Sequence, residues 1–205
     1  EVIARADDTK DDLSRKIKLA AKLGTMQACL TNFKGLTKRW TINTEEERLL
    51  GVSITGIMDN QLLARSKNGL KEELRIAAEV TNKAAAILLK IAPAAAITCV
   101  KPSGTVSQLT DTASGIHPRH SRFYLRTVRS DKKDPLTQFL IDQGVPYEDC
   151  IGAEETQVVF SFPQEAPEGA LTREGLTALE HLDIWQGFAR DFCEHKPSVT
   201  ISVHE

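Results

Sequence analysis

The sequence predicts an α/β protein in which parallel strands are joined by crossover helices. Short apolar runs rich in β-branched residues alternate along the chain with segments of helical spacing. Several of these runs are apolar on both faces, which is typical of strands that are covered on both sides of a parallel sheet. The predicted strands cover residues 51–58, 95–100, 123–128, 157–162 and 198–203.

Two helices are predicted in the first quarter of the chain. Leu13, Ile17 and Ala20 have helical spacing, and the aspartates before them suit the positive end of a helix dipole. Thr44 is followed by Glu47 at the spacing of a capping box, which predicts that a second helix begins at Thr44.

Three further helices follow. The clearest helix precedes Pro93, and its predicted buried face consists of Leu70, Leu74, Ala77, Thr81, Ala84 and Leu88. Asp134 and Pro135 open a short helix that Gly144 ends. The last helix has a predicted buried stripe of Ala178, Leu182, Trp185, Ala189 and Phe192.

The composition is that of an ordinary globular protein. The 205 residues include 26 basic and 28 acidic side chains, with a formal charge of −2 and 41% apolar residues. This near-neutral charge does not indicate nucleic acid as a partner. No apolar run is long enough to cross a membrane. The charged start shows no secretion signal, so a cytoplasmic location is expected. The start also lacks Met, which suggests a segment of a longer chain.

The four cysteines are far apart in the sequence. They form neither a CxxC motif nor a Cys/His cluster, so neither a disulfide framework nor a metal site is expected. Buried, reduced thiols are the expected state of Cys29, Cys99, Cys150 and Cys193.

The stretch "KPSGTVSQL" follows a predicted buried strand and leads into a predicted helix. Ligands of parallel α/β folds gather at such strand ends. Consecutive N–H groups at Ser103, Gly104, Thr105 and Val106 would form an anion site, reinforced by the helix dipole, and Pro102 would fix the turn. The order is not that of a Walker motif. On local sequence alone, a turn capped by Ser103 is the simpler interpretation.

Other polar clusters lie near predicted strand ends. Basic residues with Phe123 and Tyr124 among them occupy 119–133, which is typical of a charged strand edge or of a site for phosphate or single-stranded nucleic acid. His117 and His120 lack a third ligand at metal-binding spacing. Asp59, Asn60 and Gln61 follow another strand, where helix capping by Asp59 or Asn60 is the simpler interpretation. No catalytic triad or carboxylate pair is evident.

Three stretches together carry a family resemblance. "NTEEERLLGVSITGIMD", "KPSGTVSQLTDTASGIHPRHSRFYLRTVR" and "EHKPSVTISVHE" resemble successive segments of the large chain of ribonucleotide reductases. They are most similar to the adenosylcobalamin-dependent (class II) ribonucleoside-triphosphate reductases. The resemblance covers nearly the whole chain in the right order.

The resemblance implies a fold and a chemistry. The fold is a ten-stranded α/β barrel, and residues 1–205 would form its C-terminal portion, downstream of the finger loop. The chemistry is reduction of a ribonucleoside di- or triphosphate to the 2′-deoxyribonucleotide by a cysteine thiyl radical. Adenosylcobalamin would start the radical through Co–C homolysis, and a thioredoxin-type protein would supply electrons to the full-length enzyme. Neither a membrane nor a nucleic-acid partner is expected.

The resemblance also assigns residues. The family's finger-loop motif, Asn-Pro-Cys-Gly-Glu, is absent, so no catalytic residue is expected within this segment. The family's substrate-phosphate loop matches Pro102, Ser103, Gly104, Thr105 and Val106. From the residues themselves and not from the resemblance, His117 and Arg119 are expected as secondary anion contacts, and no metal ligand is expected.

Three alternatives stay open at this point. A class I or class III reductase shares the barrel but uses another radical source. A non-catalytic phosphate-binding α/β module would use the same loop. A single-strand nucleic-acid binder would use the basic residues of 119–133 instead.

Overall fold

The computed structural model of the chain describes residues 1–203 and divides them into two compact units. The first unit contains residues 1–119 and the described residues from Pro167 onward, and the second contains His120–Ala166. The helices are α1 (Lys10–Gln27), α2 (Lys38–Glu47), α3 (Gln61–Arg65), α4 (Leu70–Leu89), α5 (Val106–Leu109), α6 (Pro135–Asp142) and α7 (Ala178–Asp191). The strands are β1 (Val2–Ile3), β2 (Val52–Thr55), β3 (Thr98–Cys99), β4 (Phe123–Asp131), β5 (Tyr147–Asp149) and β6 (Gln157–Glu165).

The first unit is built on a parallel three-stranded sheet with the order β1-β2-β3. Val2 pairs with Ile54, and Val52 pairs with Thr98. All four residues of β2 are buried, as expected for a central strand covered on both faces. The parallel arrangement predicted for the first two apolar runs is therefore confirmed, although the strands are shorter than predicted.

Helix α1 begins with a capping box that the aspartates complete. Thr9 Oγ1 accepts a hydrogen bond from Asp12 N, and the Asp12 carboxylate accepts one from Thr9 N. Leu13 and Ile17 are fully buried in the core of the unit, as their spacing predicts.

The prediction that a helix begins at Thr44 is wrong. Helix α2 begins at Lys38, and the Thr44 carbonyl accepts from Arg48 N at the other end of the helix. Because the side chains of Thr44 and Glu47 lie in the last turn, they have the spacing of a capping box without the free N–H groups that such a box serves.

Helix α4 occupies the predicted range, but its buried face is rotated from the predicted one. Leu88 is 81% exposed, whereas Lys71 and Asn82 are buried. Asn82 can be buried because both ends of its side-chain amide are hydrogen-bonded. Its Nδ2 donates to Thr25 Oγ1 (2.9 Å), and its Oδ1 accepts from Ala94 N (3.0 Å). These polar contacts are tertiary, so an apolar spacing pattern does not predict them.

Helix α7 buries a stripe that differs in part from the predicted one, although Phe192 at its end is fully buried as predicted. His181, Ile184 and Phe188 are buried, whereas Leu182, which was predicted on the buried face, is exposed. The observed and predicted stripes lie one position apart on the helix. Because His181 is polar, an apolar spacing pattern does not identify it as a buried position.

The second unit is antiparallel, which corrects the parallel prediction for residues 123–128 and 157–162. Strand β6 lies between β4 and β5, and Phe123 pairs with Glu165. Helix α6 follows the predicted signals, with the Asp134 carboxylate accepting from Leu136 N and Gly144 at φ 76° beyond its end.

The strand predicted for residues 198–203 is absent, since these residues form no helix or strand. Residues 204 and 205 of the predicted barrel segment lie outside the described residues. No helix in the described part of the chain is long and apolar enough to cross a membrane.

Candidate phosphate-binding site

The predicted phosphate loop lies at the C-terminal end of β3, in the first unit. Lys101 N donates to Ser53 Oγ of the neighbouring strand (3.0 Å), which fixes the start of the loop against β2. The loop then runs through Pro102 into α5. This placement at the end of a parallel strand is the one that the sequence predicts.

Ser103 fixes the loop from inside. It is 4% exposed, its Oγ accepts from Ser107 N (3.0 Å) and donates to Glu1 Oε2 (3.0 Å), and its N–H donates to Ser114 Oγ (3.2 Å). Its carbonyl oxygen accepts from Ser114 Oγ (2.7 Å) and Ser107 Oγ. The Ser103 hydroxyl therefore accepts from an N–H group in the first turn of α5, although the N-cap residue is Thr105, which makes no side-chain cap.

The next three residues present free backbone donors. The N–H groups of Gly104, Thr105 and Val106 have no acceptor within residues 1–203, and all three residues are exposed. A Cβ atom at Gly104 would meet no atom within 4 Å, so neither packing nor a positive φ requires glycine there. Three adjacent donors beside open space form a cradle for an oxyanion. Helix α5 has only 4 residues, so its dipole adds little.

A second segment, residues 113–115, packs against the loop. Thr55 Oγ1 at the end of β2 donates to the Ala113 carbonyl (3.0 Å) and accepts from Gly115 N (2.8 Å). Gly115 has φ 55°, and a Cβ atom there would lie 2.8 Å from the Lys101 carbonyl oxygen. The close approach of this segment to the loop thus requires glycine.

His117 and Arg119 both have partners inside the protein. His117 Nδ1 lies 3.0 Å from the Ser114 carbonyl and Nε2 accepts from Thr200 N (3.0 Å), so these contacts assign the neutral Nδ1–H tautomer. The Arg119 guanidinium is buried against Asp59 and the Asp111 carboxylate. Their role as secondary anion contacts stays a prediction, and the contacts found here favour a role in positioning the loop.

The polar residues after β2 divide between two structural tasks. Asn60 caps α3, with Oδ1 accepting from Leu63 N (3.0 Å), which confirms the capping interpretation for Asn60. Its amide also donates to the Arg5 carbonyl (2.8 Å). Asp59 instead accepts two hydrogen bonds from Arg119.

Sequence reasoning missed two supports of the site, half-buried Ser114 and buried His181. Ser114 is a short polar residue without a motif, and only the tertiary contact with Ser103 reveals its role. His181 Nε2 lies 2.8 Å from the Ile116 carbonyl oxygen. Burial lowers the pKa of His181, and neighbouring His117 lowers it further, while the hydrogen bond to Ile116 acts in the opposite direction.

The basic residues of 119–133 continue into β4, which is an edge strand of the antiparallel sheet. Within this second unit, Arg122 pairs with Glu165 (3.1 Å) and Lys132 with Asp149 (2.7 Å). These pairs are those of a charged strand edge.

The cysteines form no reactive cluster in the described part of the chain. All four are free thiols, and burial raises the pKa of Cys193 to about 12. Within residues 1–203 no group of three or more His, Cys, Asp or Glu side chains is placed to hold a metal ion.

Comparison with known proteins confirms the predicted resemblance. The chain is 29% identical over 158 residues to the adenosylcobalamin-dependent ribonucleoside-triphosphate reductase of Euglena gracilis, a match that covers 76% of this chain and 22% of the relative. It is 30% identical over 105 residues to a probable adenosylcobalamin-dependent ribonucleoside-triphosphate reductase of Dictyostelium discoideum, covering 51% of this chain and 14% of the relative. The chain thus spans less than a quarter of either relative. No family model matches the chain.

The fold matches that of a solved structure. A crystal structure of a B12-dependent (class II) ribonucleotide reductase superposes with a TM-score of 0.74 at 20% identity. The match covers 93% of this chain and 30% of the reductase chain. The α/β fold predicted for the chain is therefore confirmed as the fold of a part of such a reductase.

Proposed function

We propose that this chain is part of an adenosylcobalamin-dependent ribonucleotide reductase and that residues 102–106 hold the phosphates of the ribonucleotide substrate. The observation that carries the proposal is the row of free N–H groups at Gly104, Thr105 and Val106, beside open space at a strand end. The reductase names of the relatives supply the substrate class.

The task of the chain in the reaction is binding and orientation. Hydrogen bonds of Ser103 to Ser114, and of Gly115 to Thr55, hold the start of the loop from inside. Phosphates fixed in this way set the position of the attached ribose relative to the reacting groups. The same contacts exist in ground state and transition state, so the loop lowers KM more than it raises kcat.

The described residues of the loop fit the phosphates of the substrate. The loop presents N–H donors, which suit an anion. We therefore assign no step through the cofactor to these residues. The thiyl cysteine and the reducing cysteine pair belong to the remainder of the proposed enzyme.

The proposal for the whole protein has further parts. The full-length enzyme would form the ten-stranded barrel, take electrons from a thioredoxin-type protein, respond to allosteric effectors and make deoxyribonucleotides for DNA replication in the cytoplasm. It would use neither nucleic acid nor a membrane as a partner. The adenosylcobalamin dependence of the relatives and the class II reductase structure favour class II over class I or class III.

The decisive experiment is Gly104→Val in the full-length enzyme. We expect the KM for the ribonucleotide to rise about tenfold or more with a much smaller change in kcat, because the added side chain occupies the space in front of the donors. Leu109→Val, at an 85% exposed position of the same short helix, is the control and should leave both constants unchanged. An unchanged KM in a folded Gly104→Val enzyme would refute the assignment.

The alternative of a non-catalytic module makes a different prediction. Such a module would bind nucleotide strongly by itself, whereas a barrel segment needs the rest of the enzyme. Reading the coding sequence upstream for Asn-Pro-Cys-Gly-Glu separates the two, because the finger-loop motif has no purpose in a binding module.

A further inference from the structure

The first unit contains a cavity that the proposed phosphate loop does not line. Its volume is about 670 Å³, within the range of small-molecule sites, and it lies between the start of α4, the segment 171–176 and α7. Buried Leu176 and Ile184 form part of an apolar wall. A small organic molecule therefore has both room and apolar contact here.

A buried ammonium lies at this cavity. Lys71 is 6% exposed, and its Nζ donates to the Ser66 carbonyl (2.8 Å) and lies 5.1 Å from the centre of the Phe188 ring. Gly187 lies beside the ammonium, since a Cβ atom there would be in van der Waals contact with Nζ at 3.6 Å. Burial lowers the pKa of Lys71, while Asp191 and Asp183 act in the opposite direction.

The acidic residues at the cavity rim are largely engaged elsewhere. Asp183 pairs with Lys67 (3.6 Å), and Asp191 pairs with Arg190 (2.7 Å). These two pairs neutralise their own charge. Neither of these two carboxylates forms an ion pair with the ammonium of Lys71.

The other two cations of the cavity, Lys71 and Arg65, form no ion pair in the described part of the chain. Within residues 1–203 neither Lys71 nor Arg65 has a carboxylate within 4.0 Å. The third rim carboxylate, Glu180, accepts from Thr177 N and Oγ1 in the capping box of α7. The cavity lining thus holds four cations, Arg65, Lys67, Lys71 and Arg190, against three carboxylates, so its net charge is positive.

The start of α4 adds donors to the same rim. Gly69 caps this 20-residue helix without a side-chain hydrogen bond, and the N–H groups of Leu70, Lys71 and Glu72 have no acceptor within the described residues. The positive end of a long helix and a buried ammonium favour the same kind of ligand.

We propose that this cavity binds a small metabolite that carries a phosphate or carboxylate group, with its oxyanion on Lys71 and its apolar part against Leu176 and Ile184. The burial of an ammonium that has no carboxylate within 4.0 Å in the described residues is costly, and a bound oxyanion supplies the direct ion pair. This site does not depend on the proposed reductase function.

Titration calorimetry on the full chain tests the proposal with phenyl phosphate, benzoate and uncharged phenol as probes. We expect saturable binding of at least one oxyanion, with phenol weaker by about tenfold or more. Whichever oxyanion binds more tightly identifies the headgroup. Every titration is repeated in Gly104→Val, so that binding at the phosphate loop is separated from binding in the cavity.

Variants of the cavity complete the test. Lys71→Met should weaken binding about tenfold or more, whereas Lys71→Arg and the exposed control Lys18→Met should retain it. If Lys71→Met does not fold, Leu179→Glu places a repelling charge at the exposed rim, with Leu179→Gln as its neutral control. The proposal is overturned if neither oxyanion saturates the wild-type chain or if the charge changes leave its affinity unaltered.

Discussion

The carboxylate of Asp59 and the guanidinium of Arg119 form a buried ion pair with two parallel hydrogen bonds. Nε lies 3.0 Å from Oδ1 and Nη2 lies 3.0 Å from Oδ2, and the two side chains are 1% and 3% exposed. Asp59 Oδ2 also accepts from Ala113 N (2.7 Å). The pair therefore ties the end of β2 to the segment beneath the phosphate loop.

Asp59→Asn should destabilise the first unit by about 3 kcal/mol, because Arg119 would keep a buried charge that the more exposed Asp111 only partly compensates. The free energy of unfolding in urea measures this. Glu73→Gln removes one partner of the exposed ion pair with Lys10 and should change the free energy of unfolding little. Equal effects of the two substitutions would show that the buried pair contributes nothing special.

Gly56→Ala should destabilise the chain by about 2–3 kcal/mol. Gly56 has φ 81°, and an added Cβ would collide with the Ala4 carbonyl oxygen at the end of β1. Gly104→Ala is the matched control, since its Cβ would meet nothing within 4 Å and its φ is not positive. A thermal midpoint that falls no further in Gly56→Ala than in Gly104→Ala would contradict the geometry.

His181 should make the chain less stable in mild acid. Burial lowers its pKa in the folded chain below the ordinary 6.5, so the unfolded chain takes up the proton first and unfolding is favoured as the pH falls below that value. Urea midpoints measured between about pH 7.5 and about pH 5.5 test this. His181→Gln should flatten the dependence. A slope that persists in this variant would assign it to other groups.

Thiol labelling should distinguish one cysteine from the other three. Cys29 is exposed, whereas burial raises the pKa of Cys99, and raises that of Cys193 to about 12. Ellman's reagent at mildly alkaline pH should therefore show one fast thiol in the native chain, with the others reacting after unfolding. Cys29→Ser should abolish the fast phase. Two or more fast thiols would be incompatible with this burial pattern.

Local signals in the sequence predict much of the fold. Three of these signals act within one turn of a helix, where nearest neighbours determine the conformation. They are the Asp residues before α1, Pro93 after α4 and the Asp134-Pro135 start of α6. Thr44 fails as a start signal because the same residues have no free N–H groups to cap at the end of a helix.

For the site, the sequence by itself determined the loop at residues 102–106 and its place after a buried strand, since glycine and hydroxyl residues after an apolar run act locally. It also determined the resemblance to class II reductases. Only the tertiary structure decided that Ser103 faces inward, that Arg119 is paired with Asp59, and that residues 123–165 form an antiparallel sheet. These features depend on contacts between residues distant in the chain, where burial and hydrogen-bond geometry decide which polar groups stay free for a ligand.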